Sequence, residues 1–124
     1  MATVAQSISL EEYMHTSYSP DCEYIDGEVV ERNVGQGKHA VTQLAVGSLL
    51  REYALPRQLW AATEWRVQVT ATRVRVPDVC VVRKLEDVVI EPPLLCVEVL
   101  SPDDRWSRTN GVISDYQAMG VPCV

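Results

Sequence analysis

The chain has 124 residues, 47% of them hydrophobic and 23% charged, the composition of one folded domain and not of a disordered segment. No apolar run is long enough to cross a bilayer. The net charge of −6 argues against a strong sequence-blind nucleic-acid binder. The charge is unevenly spread: residues 1–31 hold seven acids and no Lys or Arg, residues 32–84 nine bases and three acids, and residues 85–124 two bases and seven acids. A basic middle between acidic ends is able to present one positive face. Residues 1–7 lack the basic start and apolar core of a secretory signal, so a cytoplasmic location is expected. Cys22, Cys80, Cys96 and Cys123 include no C-x-x-C pair, and the apolar settings of Cys80 and Cys96 read as buried, reduced thiols.

Ser9-Leu10-Glu11-Glu12 is a capping box for a short helix over 10–16, with Ile8 and Tyr13 at the hydrophobic-staple positions. Residues 23–33 read as a hairpin about Asp26-Gly27. Gly35 and Gly37 loosen the chain before a helix over 39–54, in which Val41, Leu44, Ala45, Leu49 and Tyr53 mark the expected core face and Pro56 the stop. Residues 64–70 alternate as a strand with one wet face. After a turn at Ala71-Thr72, residues 74–82 form a strand whose far end is buried on both faces. Residues 94–100 read as another buried strand, 109–119 as a helix stopped by Gly120, and 121–124 as the start of a further strand. Trp60 and Trp65 are expected to pack in the core. The order predicts a mixed α/β (α+β) domain over 1–124, with a central sheet flanked by helices.

Two acids interrupt the apolar strands. Asp78 lies in Val-Pro-Asp-Val-Cys-Val-Val and Glu98 in Leu-Leu-Cys-Val-Glu-Val-Leu. A buried carboxylate without a partner is costly, so each needs an arginine, solvent or a cation. Side chains alternate across a strand, so Asp78 shares a face with Cys80, and Glu98 with Cys96. If the two strands are neighbours, the carboxylates converge, and hard oxygen ligands suit Mg²⁺ or Mn²⁺. The plain alternative is a small interaction domain whose acids pair with Arg66, Arg73 or Arg75.

Pro77-Asp78 followed by Glu98 on the next strand resembles the PD-(D/E)xK nuclease superfamily. Glu23-Tyr24-Ile25-Asp26-Gly27-Glu28, His39 opening a helix after a glycine-containing loop, Pro77-Asp78, Val97 to Pro102, Asp115-Tyr116 and Met119-Gly120-Val121 together resemble the Uma2 family of restriction endonucleases. The resemblance implies a restriction-endonuclease-like fold and metal-dependent hydrolysis of DNA phosphodiesters, with Asp78 and Glu98 holding Mg²⁺ or Mn²⁺. Glu28 or Glu23 would be a further acid near the site. His39 stands where the family often has a histidine, at a helix start that attracts anions.

The sequence departs from the pattern in two places. The superfamily lysine two residues after the second acid is Leu100 here, and residues 101–124 hold no lysine. Arg105 and Arg108 are the nearest cations; arginine supplies charge but stays protonated and is a poor general base. The stretch 121–124 also reads as a sheet edge that the family continues, so the C-terminal strands are expected to be truncated, or completed by a partner or a second copy in a homodimer. The first reading is therefore a metal-dependent endonuclease. The alternative is a catalytically degenerate nuclease fold that binds nucleic acid or protein.

Overall fold

A computed structural model describes residues 7–32 and 35–124. Most of the N-terminal stretch judged for a signal, and Asn33 at the end of the expected hairpin, lie outside the described residues. Helix α1 (Leu10–Met14) starts as the capping box requires, with the Ser9 hydroxyl accepting from the Glu12 amide at 3.0 Å. Strands β1 (Glu23–Ile25) and β2 (Glu28–Val30) form the hairpin. Its turn residues Asp26 and Gly27 both have positive φ, 51° and 96°, as a tight type I′ connection demands. Helix α2 (Gly37–Ala54) runs into a 3₁₀ turn (Leu55–Arg57) at Pro56.

The next segment differs from expectation. An unanticipated strand, β3 (Trp60–Thr63), comes first, and Glu64 at φ 53° ends it. Strand β4 (Val67–Thr70) keeps the alternating burial expected of it. The single strand expected over 74–82 is two strands in different sheets: β5 (Arg73–Arg75) and β6 (Val79–Val82), separated by Val76-Pro77-Asp78. Proline removes a ladder donor and favours such a break. Strand β7 (Leu95–Val97) and helix α3 (Trp106–Met119) follow, and α3 stops at Gly120 in the left-handed region, φ 101°.

The class is mixed α/β, built on two antiparallel sheets ordered β2-β1-β5-β4 and β3-β6-β7. Parallel pairing occurs only as isolated bridges among the described residues, Val67 with Val89 and Leu95 with Cys123. The main core joins both sheets to α3 through Val67, Val69, Cys80, Cys96, Val112 and Tyr116. A second cluster packs α1 on the other side of β1 and β5, around Tyr13, Tyr24 and Val74. All four residues of β6 are buried, as its uniformly apolar sequence implies. Burial pushes the Cys80 and Cys96 thiols up, and both are free, inert thiols.

Helix α2 corrects the expected core face. Val41, Leu44 and Leu49 are 71%, 69% and 67% exposed, and Tyr53 is also exposed. The buried positions are His39 and Ala54, and between them Gly47 lies against Thr63. Small residues let the helix sit close to β3, while the larger apolar side chains face outward. Trp60 is exposed instead of packed in the core, and Trp65 is half-buried, its indole N–H donating to the Glu86 carbonyl at 2.8 Å.

Candidate functional site

The β6–β7 ladder pairs Val79 with Val97 and Cys80 with Cys96. Carried one residue further, that register sets Asp78 opposite Glu98 on one face of the sheet. The ladder is not continued there: the Asp78 carboxylate accepts the Val99 amide at 2.7 Å, so a side chain takes the place of a main-chain partner. The Asp78 carbonyl accepts from Gln43 Nε2 at 2.9 Å, and His39 Nε2 lies 3.4 Å from Asp78 Oδ2. His39 and Gln43 are four residues apart, on one face of α2, so one helix face meets both ends of Asp78, with Gln43 supplying the hydrogen bond.

Glu98 accepts the Tyr116 hydroxyl at 2.9 Å. Burial, and next the Asp78 carboxylate, push Glu98 up to about 8, against the pull of the Tyr116 hydroxyl and Arg108. Burial followed by the Glu98 charge raises the Tyr116 phenol well above its ordinary value, so it remains a donor. Asp78 and Glu98 line one tight pocket with Arg32, Asp104, Arg108 and Thr109. Its free space of about 10 Å³ suits one small ion or water.

The hairpin acids separate clearly. Glu23 is 0% exposed; it accepts from the Val76 amide at 2.9 Å, Arg75 Nη1 at 3.2 Å and Arg108 Nη2 at 2.9 Å. Glu28 is exposed at the turn end of the same hairpin. The inward carboxylate is therefore Glu23, because it sits two pairs further from the solvated turn. Arg105 is likewise displaced as a candidate: it is exposed at the N-cap of α3, whereas Arg108, one turn inward, lines the pocket. Arg108 Nε is buried and has no hydrogen-bond partner among the described residues. Leu100, at the superfamily lysine position, is exposed.

Arg32 was not anticipated. Both its terminal nitrogens donate to Glu64 Oε1, at 3.0 and 2.8 Å, and its side chain lines the pocket. The available signal was that Arg32 is the first base after an entirely acidic stretch of charge. The arginines proposed as partners for the two acids go elsewhere: Arg66 to Asp21, Arg73 to Asp26 and Asp115, and Arg75 to Glu23 and Asp115. Among the described residues no cationic Arg or Lys hydrogen-bonds to Asp78 or Glu98, which removes the premise of the interaction-domain alternative.

Among the described residues no three His, Cys, Asp or Glu side chains cluster as a metal site. Two carboxylates still fit a hard cation, because Mg²⁺ is commonly held by one or two carboxylates with water and phosphate oxygens completing its shell. The raised value of Glu98 comes first from burial and then from the Asp78 carboxylate beside it, so the metal-free pair favours keeping a proton on Glu98.

Two sheets flanked by helices, with paired acids at the end of a β6–β7 ladder, define a nuclease-fold domain. The chain belongs to the Uma2 family, described as "Putative restriction endonuclease", whose profile matches residues 10–124. A crystal structure of "a putative nuclease belonging to DUF820" from Anabaena variabilis ATCC 29413 has a similar fold, with a TM-score of 0.76 and 24% identity over 88% of this chain and 67% of that one. No curated protein matches the chain. No described helix is long and apolar enough to cross a membrane.

Proposed function

We propose that this chain is a divalent-metal-dependent endonuclease that hydrolyses phosphodiester bonds of DNA. The observation that carries the reading is the facing pair Asp78 and Glu98, from neighbouring strands, at a pocket with room for one ion and with no Arg or Lys bonded to either acid among the described residues. Bound Mg²⁺ or Mn²⁺ would neutralise phosphate charge and activate a water. The protein's own groups do the rest. The Val99 amide and Gln43 fix Asp78, and Tyr116 fixes Glu98. Arg108, tied at one end to Glu23, brings a permanent positive charge to the pocket wall. It supplies there the electrostatic part of what a lysine would do, stabilising charge that develops on phosphate oxygens. The second reading is a catalytically silent binder, favoured by Leu100 at the lysine position.

The test compares wild type with Asp78→Ala. Calorimetry is expected to show Mn²⁺ binding by the wild type alone, and plasmid nicking in Mn²⁺ is expected to vanish in the variant. Metal binding without nicking would select the silent binder; absence of binding by the folded wild type would remove the metal site.

A further inference from the structure

A wider cleft of about 850 Å³ adjoins the two-carboxylate pocket and shares the Val99-Leu100 wall with it. The first turn of α2 forms one side, through Gln36, Gly37, Lys38 and His39, and the segment ending at Asp103 forms the other. Helix α2 is 18 residues long, its N-cap residue Gln36 makes no side-chain cap bond, and its first turn holds no acid. Among the described residues no side-chain cap occupies its leading amides, and the positive end of its dipole lies at the cleft.

A second, independent observation is His39. It is 6% exposed, and among the described residues neither ring nitrogen has a hydrogen-bond partner. Its approach to Asp78 is 3.4 Å and does not have hydrogen-bond geometry. A buried donor left unmatched costs stability unless something supplies the missing bond. The loop before the helix closes tightly on this ring: a Cβ on Gly35, whose φ is 68°, would lie 2.5 Å from His39 Cβ.

We infer that the first turn of α2, with Lys38 and His39, is a phosphate subsite that takes a backbone phosphate of DNA adjacent to the bond presented to Asp78 and Glu98. The inference rests on the nuclease reading and extends it to the substrate's next contact. Lys38 is the permanent cation of this lining and Asp103 the opposing acid, so the subsite is electrostatically tunable from either wall.

The test is a titration of inorganic phosphate into metal-free, ¹⁵N-labelled protein. Saturable shifts are expected at the Gly37 and Lys38 amides. Lys38→Ala is expected to weaken phosphate about tenfold, and Asp103→Asn to strengthen it. Lys38 and Asp103 are exposed, so neither variant threatens the fold. A short duplex without terminal phosphates is expected to displace phosphate from the same amides. Phosphate shifts that the duplex fails to displace would assign the cleft to free phosphate and overturn the inference. Absence of saturable shifts at α2, or an unchanged affinity in Lys38→Ala, would overturn it too. Plasmid nicking measured alongside separates the two claims: nicking without a response at α2 sinks the subsite alone, and a response displaced by duplex without nicking sinks the nuclease reading alone.

Discussion

Glu98 holds its proton in the folded, metal-free state up to about pH 8, against an ordinary value of 4.5, because burial and Asp78 disfavour its charge. A raised acid binds its proton more tightly when folded, so its ionisation favours unfolding. Its stabilising effect is therefore complete below the ordinary value and is lost as pH rises towards the folded one. Denaturant melts are expected to show wild type losing more stability than Glu98→Gln as pH rises across that window. A cation competes with the same proton, so Mn²⁺ affinity is expected to rise through that range and calorimetry to record proton release. Tyr116→Phe removes the one hydrogen bond that opposes the shift. It is expected to cost about 1 kcal/mol and to move the onset of Mn²⁺ binding to higher pH. Gly35→Ala acts on the neighbouring residue: the new methyl meets His39, so phosphate affinity is expected to fall while the distant Tyr13 cluster is untouched.

At the scale of elements, β1, β5 and α3 are tied by alternating charges. Asp26 pairs with Arg73, Arg73 and Arg75 share Asp115, and Arg75 and Arg108 share the buried Glu23. Removing one member of a buried ion pair leaves its partner uncompensated. Glu23→Ala is thus expected to cost about 3–5 kcal/mol, and Glu28→Ala less than about 0.5 kcal/mol, in denaturant melts. The sequence alone could not separate these two acids, since both flank the same turn; the difference lies in what α3 places above Glu23. Local signals did mark the hairpin turn, both helix ends at Ser9 and Gly120, and the parity that brings Asp78 and Glu98 together. They missed β3, because its two central alanines weaken the strand signal of Trp60 and Thr63 and the strand is defined by pairing with β6. They merged β5 with β6, because an apolar run reads the same in one sheet or in two. On α2 the apolar period was real but marked the wrong side. Burial there follows the small residues that allow close approach to β3.

Across the whole molecule folding pairs part of the segregated charge of the sequence. The basic middle meets the acidic start: Arg66 with Asp21, Arg73 with Asp26 and Arg75 with Glu23. The single positive face suggested by the sequence is not formed by these arginines. At the pocket the cations are Arg32 and Arg108, themselves paired with Glu64 and Glu23, and Lys38 stands at the start of α2. The outer face of α2 is set apart from that region, and Leu49→Ser is expected to change stability by less than about 0.5 kcal/mol, measured by denaturant melts.

Between β5 and β6 the chain passes from one sheet to the other within Val76-Pro77-Asp78. Cys80 and Val82 face the α3 side of the core, and Asp78 shares their phase. A single inserted residue after Pro77 that slid β6 by one place against β3 and β7 would invert that phase. It would turn Val79 and Val81 toward α3 and carry the acid away from Glu98. This link can therefore hardly vary in residue number, and Asp78 within it is tied to its place opposite Glu98.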